Sequence, residues 1–479
     1  MRVKTTKLCL AAAWVTLCAC LFRSPASGAP AEYEQAAGLI DVRSTFSDGA
    51  YDIGTLAKMA ADRGFGVLFI NDHDRLAMAY GLPPVRNILR KREERNSINK
   101  RGAGAYLDAI RGTQRKFPGL ILVPGSESAP FYYWTGSWFK KNLTAHNYEK
   151  RLLTVGLEKP EDYEGLPVLH NSASLALPAA LLLLCALGVS VMLIRRGGSF
   201  RATGLLTFAL GLCAVFVADS DPFRPSPFDQ YHGDRGIAPY QLLVDHVGSR
   251  GGLTFWNYPE TRSGVSQLGP IRLDTPPYPE ALEESSGYTG FAALYGDNIT
   301  ATEPGKVWDR ILEAYCRGSR SRPVWGIAAS NYHDENGDSL GTFRTVFLLR
   351  EKSRAGVLEA MKGGKMYACS GPYRQPVRLD EFSVGSDGGG AKGFSGDEVR
   401  LKGPPRIRIA LSAAPAACGS VTVRLISSGK LLRTFEGPLP LKIDHLDTAF
   451  NPGVKTYYRL DMRGCGTLVS NPIFVSAER

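Results

Sequence analysis

At 479 residues, with 44% hydrophobic and 22% charged side chains, the chain has the composition of a globular protein and is too long for one core. At roughly 150 residues per domain it should hold about three units. Its formal charge of +11 invites a polyanion, but Arg2, Lys4, Lys7, Arg23, Arg195, Arg196 and Arg201 all flank apolar runs, and setting those seven aside leaves 11 − 7 = +4, too little for a nucleic-acid footprint.

In chain order, residues 1–29 carry a short basic start, an apolar run from Leu8 to Phe22 and a small-residue, proline-containing stretch. That is the layout of a signal peptide or signal anchor; cysteine spacing at Cys18 and Cys20 makes lipidation at Cys20 the minor alternative. Short apolar runs then alternate with helical segments: strands at 38–42, 66–70, 120–123 and 152–157, helices at 55–63 and 105–116. Ala173 to Ile194 and Ala202 to Ala218 are uncharged and enclose the basic loop Arg195 to Arg201. They are expected to form a transmembrane hairpin, 173–218, with its loop in the cytoplasm and both flanking segments on the extracytoplasmic side.

The alternation resumes with helices at 240–249, 307–316 and 355–362 and strands at 253–256 and 324–329. Repeated β–α units on both sides of an insertion predict one parallel α/β barrel in two parts, 30–170 and 221–374. From 375 to 479 period-two strands such as 406–411 and 421–426 predict a small all-β sandwich. Cys316, Cys369, Cys418 and Cys465 lack zinc-ribbon spacing. In an oxidising compartment Cys418 and Cys465 would be a candidate disulfide, with free buried thiols the equal alternative.

Ionisable residues collect just after the strands, the end of a parallel barrel where active sites form. They are Asp41, Arg43 and Asp48; Asn71-Asp-His-Asp74; Glu127; Asn257-Tyr-Pro-Glu260; and Ser330-Asn-Tyr-His333. Carboxylates mixed with imidazoles suit zinc, manganese or iron.

With Thr45-Phe-Ser-Asp-Gly49, Val123-Pro-Gly-Ser-Glu127, Gly252-Leu-Thr-Phe-Trp256 and Gly364-Lys-Met-Tyr-Ala368, these stretches resemble the PHP (polymerase and histidinol phosphatase) family of metal-dependent phosphoesterases, in its branch with a C-terminal β-sandwich. The resemblance covers nearly all of 37–372 outside the hairpin. It implies a distorted (β/α)7 barrel with up to three metals at the strand ends. Asp48, His73, Glu127 and His333 match the pattern, but Asp41 and Arg43 stand where the family has His-x-His, Arg151 stands at a histidine position, and Tyr258-Pro259 replaces His-Pro.

Arginine cannot ligate a metal near neutrality, yet its guanidinium can stand in for one by pairing with carboxylates. Two expectations follow. Asp48, His73 and His333, helped by Glu127 or Asp41, keep one zinc or manganese and hydrolyse a phosphoester or related bond, with Arg43 or Arg151 clamping a small anionic substrate. Alternatively the barrel is inactive, an envelope scaffold or sensor for an anion or a protein partner. The other expected partner is the membrane, through the two internal helices; nucleic acid is not expected.

Overall fold

The computed structural model describes residues 33–478 except 84–85, 88, 172–176, 221–224, 262–263, 298, 375–376, 387–390 and 414–418; the signal segment expected at 1–29 lies outside them. Strand β1 (Glu34–Val42) leads through Asp52 into helix α1 (Ile53–Asp62). Asp52, in an extended conformation, accepts from the Thr55 amide at 2.9 Å and so caps the helix, while Ile53, Leu56, Ala57 and Ala60 form its buried stripe at helical spacing. Gly64, at φ +79°, ends that turn and returns the chain to β2 (Val67–Ile70), buried throughout. Helix α2 (Ala103–Lys116) follows, then β3 (Ile121–Ser128) and β4 (Arg151–Val155). Helix α2 is tied to the site end of the sheet through the Tyr106 hydroxyl, which donates to the carbonyls of Ile70 (2.7 Å) and Gly125 (2.9 Å).

Two long helices, α3 (Leu177–Arg196) and α4 (Ser199–Ser220), pack against one another, with the Ser190 hydroxyl donating to Thr207 at 2.9 Å. The transmembrane expectation is not upheld: among the described residues no helix is long and apolar enough to cross a membrane. Residues 173–176, part of the first span read from the sequence, lie outside the described residues. Helix α3 meets Arg195 and Arg196 eighteen residues after Leu177, and α4 has seventeen uncharged residues between Arg201 and Asp219. At about 1.5 Å per residue the described uncharged stretches are each shorter than a hydrocarbon core of about 30 Å. The membrane-anchored, extracytoplasmic placement rested on that hairpin and falls with it. Because the two helices chiefly contact each other, replacing 177–220 by a Gly/Ser linker should change the stability of the body by less than about 1 kcal/mol. Thermal unfolding of the two forms measures this, and a large loss would mean that the hairpin supports the core.

After the hairpin come α5 (Ala238–Ser249), β5 (Leu253–Asn257), the hairpin strands β6 (Val265–Leu268) and β7 (Ile271–Asp274), β8 (Gly290–Leu294), α6 (Val307–Cys316), β9 (Trp325–Ala328), β10 (Phe343–Leu349), α7 (Arg354–Gly363) and β11 (Met366–Ser370). The C-terminal strands are β12 (Val377–Gly385), β13 (Arg406–Ala413), β14 (Ser420–Ser427), β15 (Lys430–Pro438), β16 (Leu441–Leu446), β17 (Thr456–Gly464), β18 (Gly466–Ser470) and β19 (Ile473–Ala477).

The sheet runs β9-β8-β5-β4-β3-β2-β1-β10-β11-β18-β17-β14-β15 without a break. This departs from the expected (β/α)7 barrel followed by a separate sandwich in two ways. Strand β4 lies antiparallel to both β3 and β5, and β10 lies antiparallel to β1, so the parallel winding is interrupted and the sheet curls as a half-barrel. The all-β region, moreover, does not stand apart. Strands β18, β17, β14 and β15 extend the same sheet through β11, while β12, β13 and β16 belong to a second, four-stranded sheet. The ends of the curl are drawn together after β9: the Ser330 amide donates to the Ile40 carbonyl, Tyr332 to Asp41, and Arg43 to Tyr332, each at 3.0 Å.

Cys316 and Cys369 are free thiols and Cys465 is disulfide-bonded; Cys418 lies outside the described residues.

Candidate functional site

The strand ends bring together Asp41, Arg43, Asp48, His73, Glu127, Arg151 and His333. Asp41 and Arg43 sit at the end of β1 and just beyond it, Asp48 in the following turn, His73 after β2, Glu127 within β3, Arg151 at the start of β4, and His333 after β9. Asp41, Arg43, His73 and Glu127 are buried; Asp48 and His333 keep about a third of their side-chain surface exposed.

Arg43 is at the centre. Its Nη2 donates to Glu127 Oε2 at 2.5 Å, and its Nη1 to Asn331 Oδ1 at 2.6 Å and to His333 Nε2 at 2.8 Å. Asp41 lies 3.5 Å and Asp48 3.9 Å away. Arg151 approaches from the other side: Nη1 donates to Glu127 Oε2 at 2.6 Å and faces His73 Nε2 at 3.3 Å, and Nη2 binds Glu149. Asn257 closes the ring, its Nδ2 donating to Glu127 Oε1 at 2.8 Å and to Asp41 Oδ2 at 3.1 Å.

The hydrogen bonds assign the His333 tautomer. His333 Nδ1 lies 2.9 Å from the Asn331 carbonyl, which can only accept, so Nδ1 carries the proton and Nε2 receives the Arg43 N–H. His73 Nδ1 lies 3.3 Å from Glu127 Oε2, and its Nε2 lies between Arg151 Nη1 at 3.3 Å and Asp48 Oδ2 at 3.4 Å. Burial, reinforced by Arg151, holds His73 below its usual pKa and therefore neutral.

Burial works against ionisation of Glu127, but Arg43 and Arg151, with His73, outweigh it and hold the carboxyl well below the usual range. Glu127 and Asp41 in turn outweigh the burial of Arg43 and keep its guanidinium charged. Asp41, with weaker partners, is raised by burial to about 6.

A second layer of carboxylates builds the loops. Asp72 accepts from the amide (2.8 Å) and hydroxyl (2.6 Å) of Ser44 and from those of Ser47 (3.0 and 2.6 Å), so it fixes the turn that presents Asp48; burial raises it to about 6. Burial raises Asp74 from the ordinary 3.8 to about 7, and its Oδ2 has no hydrogen-bond partner. A carboxyl raised in the folded state favours folding fully below its unfolded pKa, and that advantage is lost as pH climbs to the folded value. Between about pH 4 and 7, then, Asp74 should withdraw on the order of 4 kcal/mol at about 1.4 kcal/mol per unit. Asp74→Asn is expected to remove that part of the pH dependence, seen as a smaller difference in urea-unfolding free energy between pH 5 and pH 8 than in the wild type.

The backbone shares in the assembly. Asp41, Tyr258 and Asn331 have φ of +66°, +47° and +47°, a left-handed conformation rare outside glycine, and each lies at or just past the end of a strand that builds the site. Gly125 is required by close approach, since a Cβ there would meet Asn71 Nδ2 at 2.4 Å and the Thr154 carbonyl at 2.6 Å.

Over this floor opens a cleft of about 720 Å³ bounded by Glu149, Arg151, Tyr258, Tyr295, Asn331 and His333 among others. It adjoins a pocket of about 330 Å³ whose walls include Leu76, Met78, Tyr148, Leu268 and Leu273. Strand β6 runs along both, with Ser266 in the cleft and Leu268 in the pocket.

The sequence named Asn257 and Asn331 within motifs but gave them no role, and it missed Glu149. The signal for Glu149 was its place two residues before Arg151, where an arginine entering a buried site needs a second counter-ion.

No family model matches the chain, and no curated protein matches it. Among the solved structures similar to it are two at low sequence identity. One is a two-domain protein from Bacteroides vulgatus, named for a PHP-like metal-dependent phosphoesterase, at 10% identity over 91% of this chain and 96% of that one, with a TM-score of 0.37. The other, from Bifidobacterium adolescentis, is named as a metal-dependent phosphoesterase, at 15% identity over 64% of this chain and 90% of that one, with a TM-score of 0.29. Overlaps that loose carry no argument about this chain, and its chemistry rests on its own residues.

Those residues do not fit a bound metal as they stand. Among the described residues no group of three or more His, Cys, Asp or Glu is arranged to hold one. The groups a cation would need are met by protein instead: Nε2 of His73 and of His333 each faces an arginine N–H group, and Glu127 is bonded by two guanidinium groups and an amide. The same contacts bear on the anion clamp expected of Arg43 and Arg151. Arg43 is 1% exposed, and the Nη atoms of both arginines face protein acceptors.

Proposed function

We propose that this chain is a metal-independent ligand-binding protein built on a PHP-like hydrolase barrel. The observation that carries the reading is Arg43, a permanently charged guanidinium seated among Glu127, His333, Asp41 and Asp48 and bonded to the atoms a cation would need. A site neutralised in this way has its electrostatics fixed by the fold and has no metal-bound water to activate. What it offers a ligand is the cleft above, whose walls mix tyrosine, carboxylate, amide and imidazole groups.

A second reading, a hydrolase with a single metal, is favoured by one feature: Asp48 Oδ2 lies 3.4 Å from Nε2 of both His73 and His333.

Metal analysis of the purified full-length chain, after incubation with zinc or manganese and gel filtration, separates the two. The binding reading expects far less than one equivalent of metal and no metal-stimulated hydrolysis of p-nitrophenyl phosphate. Close to one equivalent, lost in His73→Ala and His333→Ala, would establish the hydrolase reading instead.

A further inference from the structure

We infer that the open edge of strand β6 docks an extended, basic polypeptide segment, which joins the sheet as a further strand and lays lysine or arginine side chains in the cleft. The inference rests on the ligand-binding reading above and names the class of ligand.

The strand edge is the first observation. Strand β6 is the end member of a four-stranded sheet, in which it pairs with β7 and β7 leads on to the short strands Thr144–His146 and Tyr133–Thr135. Among the described residues no strand lies beyond it. Its register sets Val265 opposite Asp274, Ser266 opposite Leu273 and Gln267 opposite Arg272, and just before the strand the Gly264 carbonyl accepts from the Thr275 amide at 2.7 Å. Hydrogen-bonded pairs alternate along an antiparallel ladder. Gly264, Ser266 and Leu268 are therefore the positions bonded to β7, and the N–H and C=O groups of Val265 and Gln267 point outward from the edge. All of β6 is exposed, and its sequence Val265-Ser-Gln-Leu268 has neither the charge nor the proline that usually blunts such an edge.

The cleft beside that edge is the second observation. Side chains alternate between the two faces of a strand. Gly264 and Ser266 line the cleft and Leu268 the adjoining pocket, so one face of β6 looks onto both. A strand added beside β6 continues that face along the cleft and directs every second side chain toward it.

Charge decides what those side chains are. The described residues that line the cleft include four carboxylates, Glu149, Asp297, Asp334 and Asp338, and one guanidinium, that of Arg151, which is already bonded to Glu127 and Glu149. Asp334 and Asp338 form no ion pair among the described residues. An anionic ligand would meet this wall with no uncommitted cation among the described lining residues, whereas lysine or arginine at every second position complements it.

The test titrates the full-length chain, at low ionic strength, into a fluorescein-labelled Lys-Val-Lys-Val-Lys peptide and follows fluorescence anisotropy. Two control peptides are used: Glu-Val-Glu-Val-Glu, and the lysine peptide methylated on its backbone amides, which keeps the charge and removes the ladder donors. Two variants separate the contacts: Asp334→Asn/Asp338→Asn for the wall, and Gln267→Pro, which deletes an outward N–H of the edge and none that bonds β7. The wild type should bind the lysine peptide at least about tenfold more tightly than either control, and each variant should lose about tenfold in affinity for it. No binding of the lysine peptide, or binding untouched by amide methylation, would overturn the inference, and binding untouched by the aspartate substitutions would refute its basic ligand. In each of these cases a chain that retains little metal leaves the proposed function standing, whereas near-stoichiometric metal overturns that function whatever the peptide does. If Gln267→Pro does not fold, the methylated peptide decides the same point on the wild type.

Discussion

Replacing Arg459 with alanine is expected to destabilise the whole molecule by about 3–5 kcal/mol, and to do so in a single unfolding transition rather than by loosening the C-terminal region alone. Arg459, on β17, is fully buried; its Nε and Nη2 donate to the two carboxylate oxygens of Asp309 on α6 at 2.7 and 2.8 Å, and Nη2 also reaches the Thr302 carbonyl at 2.9 Å. The Tyr457 hydroxyl adds a bond to Asp309 at 2.8 Å. Truncation would leave the buried Asp309 side chain with neither solvent nor a cation to face, which is why the loss should exceed that of any exposed pair. Asp309→Leu combined with Arg459→Met removes both charges together and should recover most of it.

The single transition follows from topology. Strand β18 pairs with β11 from Ser470 opposite Tyr367 to Thr467 opposite Ser370, and the Asn471 side chain bonds to Gly326 in β9 and Met366 in β11. With half-barrel and all-β region sharing one sheet, neither has a free boundary at which to melt first. Denaturant unfolding followed by far-ultraviolet circular dichroism and by tryptophan fluorescence tests this, since all the described tryptophans precede residue 375. Transitions that separate on the two probes would show that the regions unfold independently.

How far the sequence reached depended on whether a feature was local. The helices and strands around the site were legible because each carries its own periodicity and ends: the stripe Ile53, Leu56, Ala57, Ala60 behind Asp52, or the uninterrupted run Val67 to Ile70. Strand direction was not legible. A run such as Leu152 to Val155 is apolar whether its neighbours are parallel or antiparallel, so the reversal of β4 and the fusion of the C-terminal strands to β11 were invisible. The hairpin was misjudged because an uncharged run can be counted in sequence, whereas among the described residues no helix is long and apolar enough to cross a membrane.

At the site, the family resemblance singled out Asp48, His73, Glu127 and His333 and marked Arg43 and Arg151 as departures from its pattern. It could not say where the guanidinium groups would point. That depends on Asn331 and Tyr258 adopting left-handed backbone and on Asn257 reaching across from β5, arrangements set by the packed fold rather than by neighbours in sequence.

Glu127 should be the most expensive single residue of the site to neutralise. Glu127→Gln keeps the shape but leaves Arg43 and Arg151 without the carboxylate they share at 2.5 and 2.6 Å, and removal of one partner from a buried charge network costs about 3–5 kcal/mol. The pH dependence separates this from a packing defect. Glu127 is held below the ordinary 4.5, so its stabilising contribution is complete above that range and drains away as pH falls through the depressed folded value. The gap between wild type and variant should therefore be widest near neutrality and narrow steadily in acid, when both are unfolded by urea at pH 7.5 and pH 3.5. A gap of the same size at both values would mean that Glu127 matters for its volume, and the picture of a site held together by its own arginines would lose its main support. A narrowing gap would mean that the charges which could have served a metal are committed to cohesion of the strand ends, leaving the cleft above them to recognise whatever the protein binds.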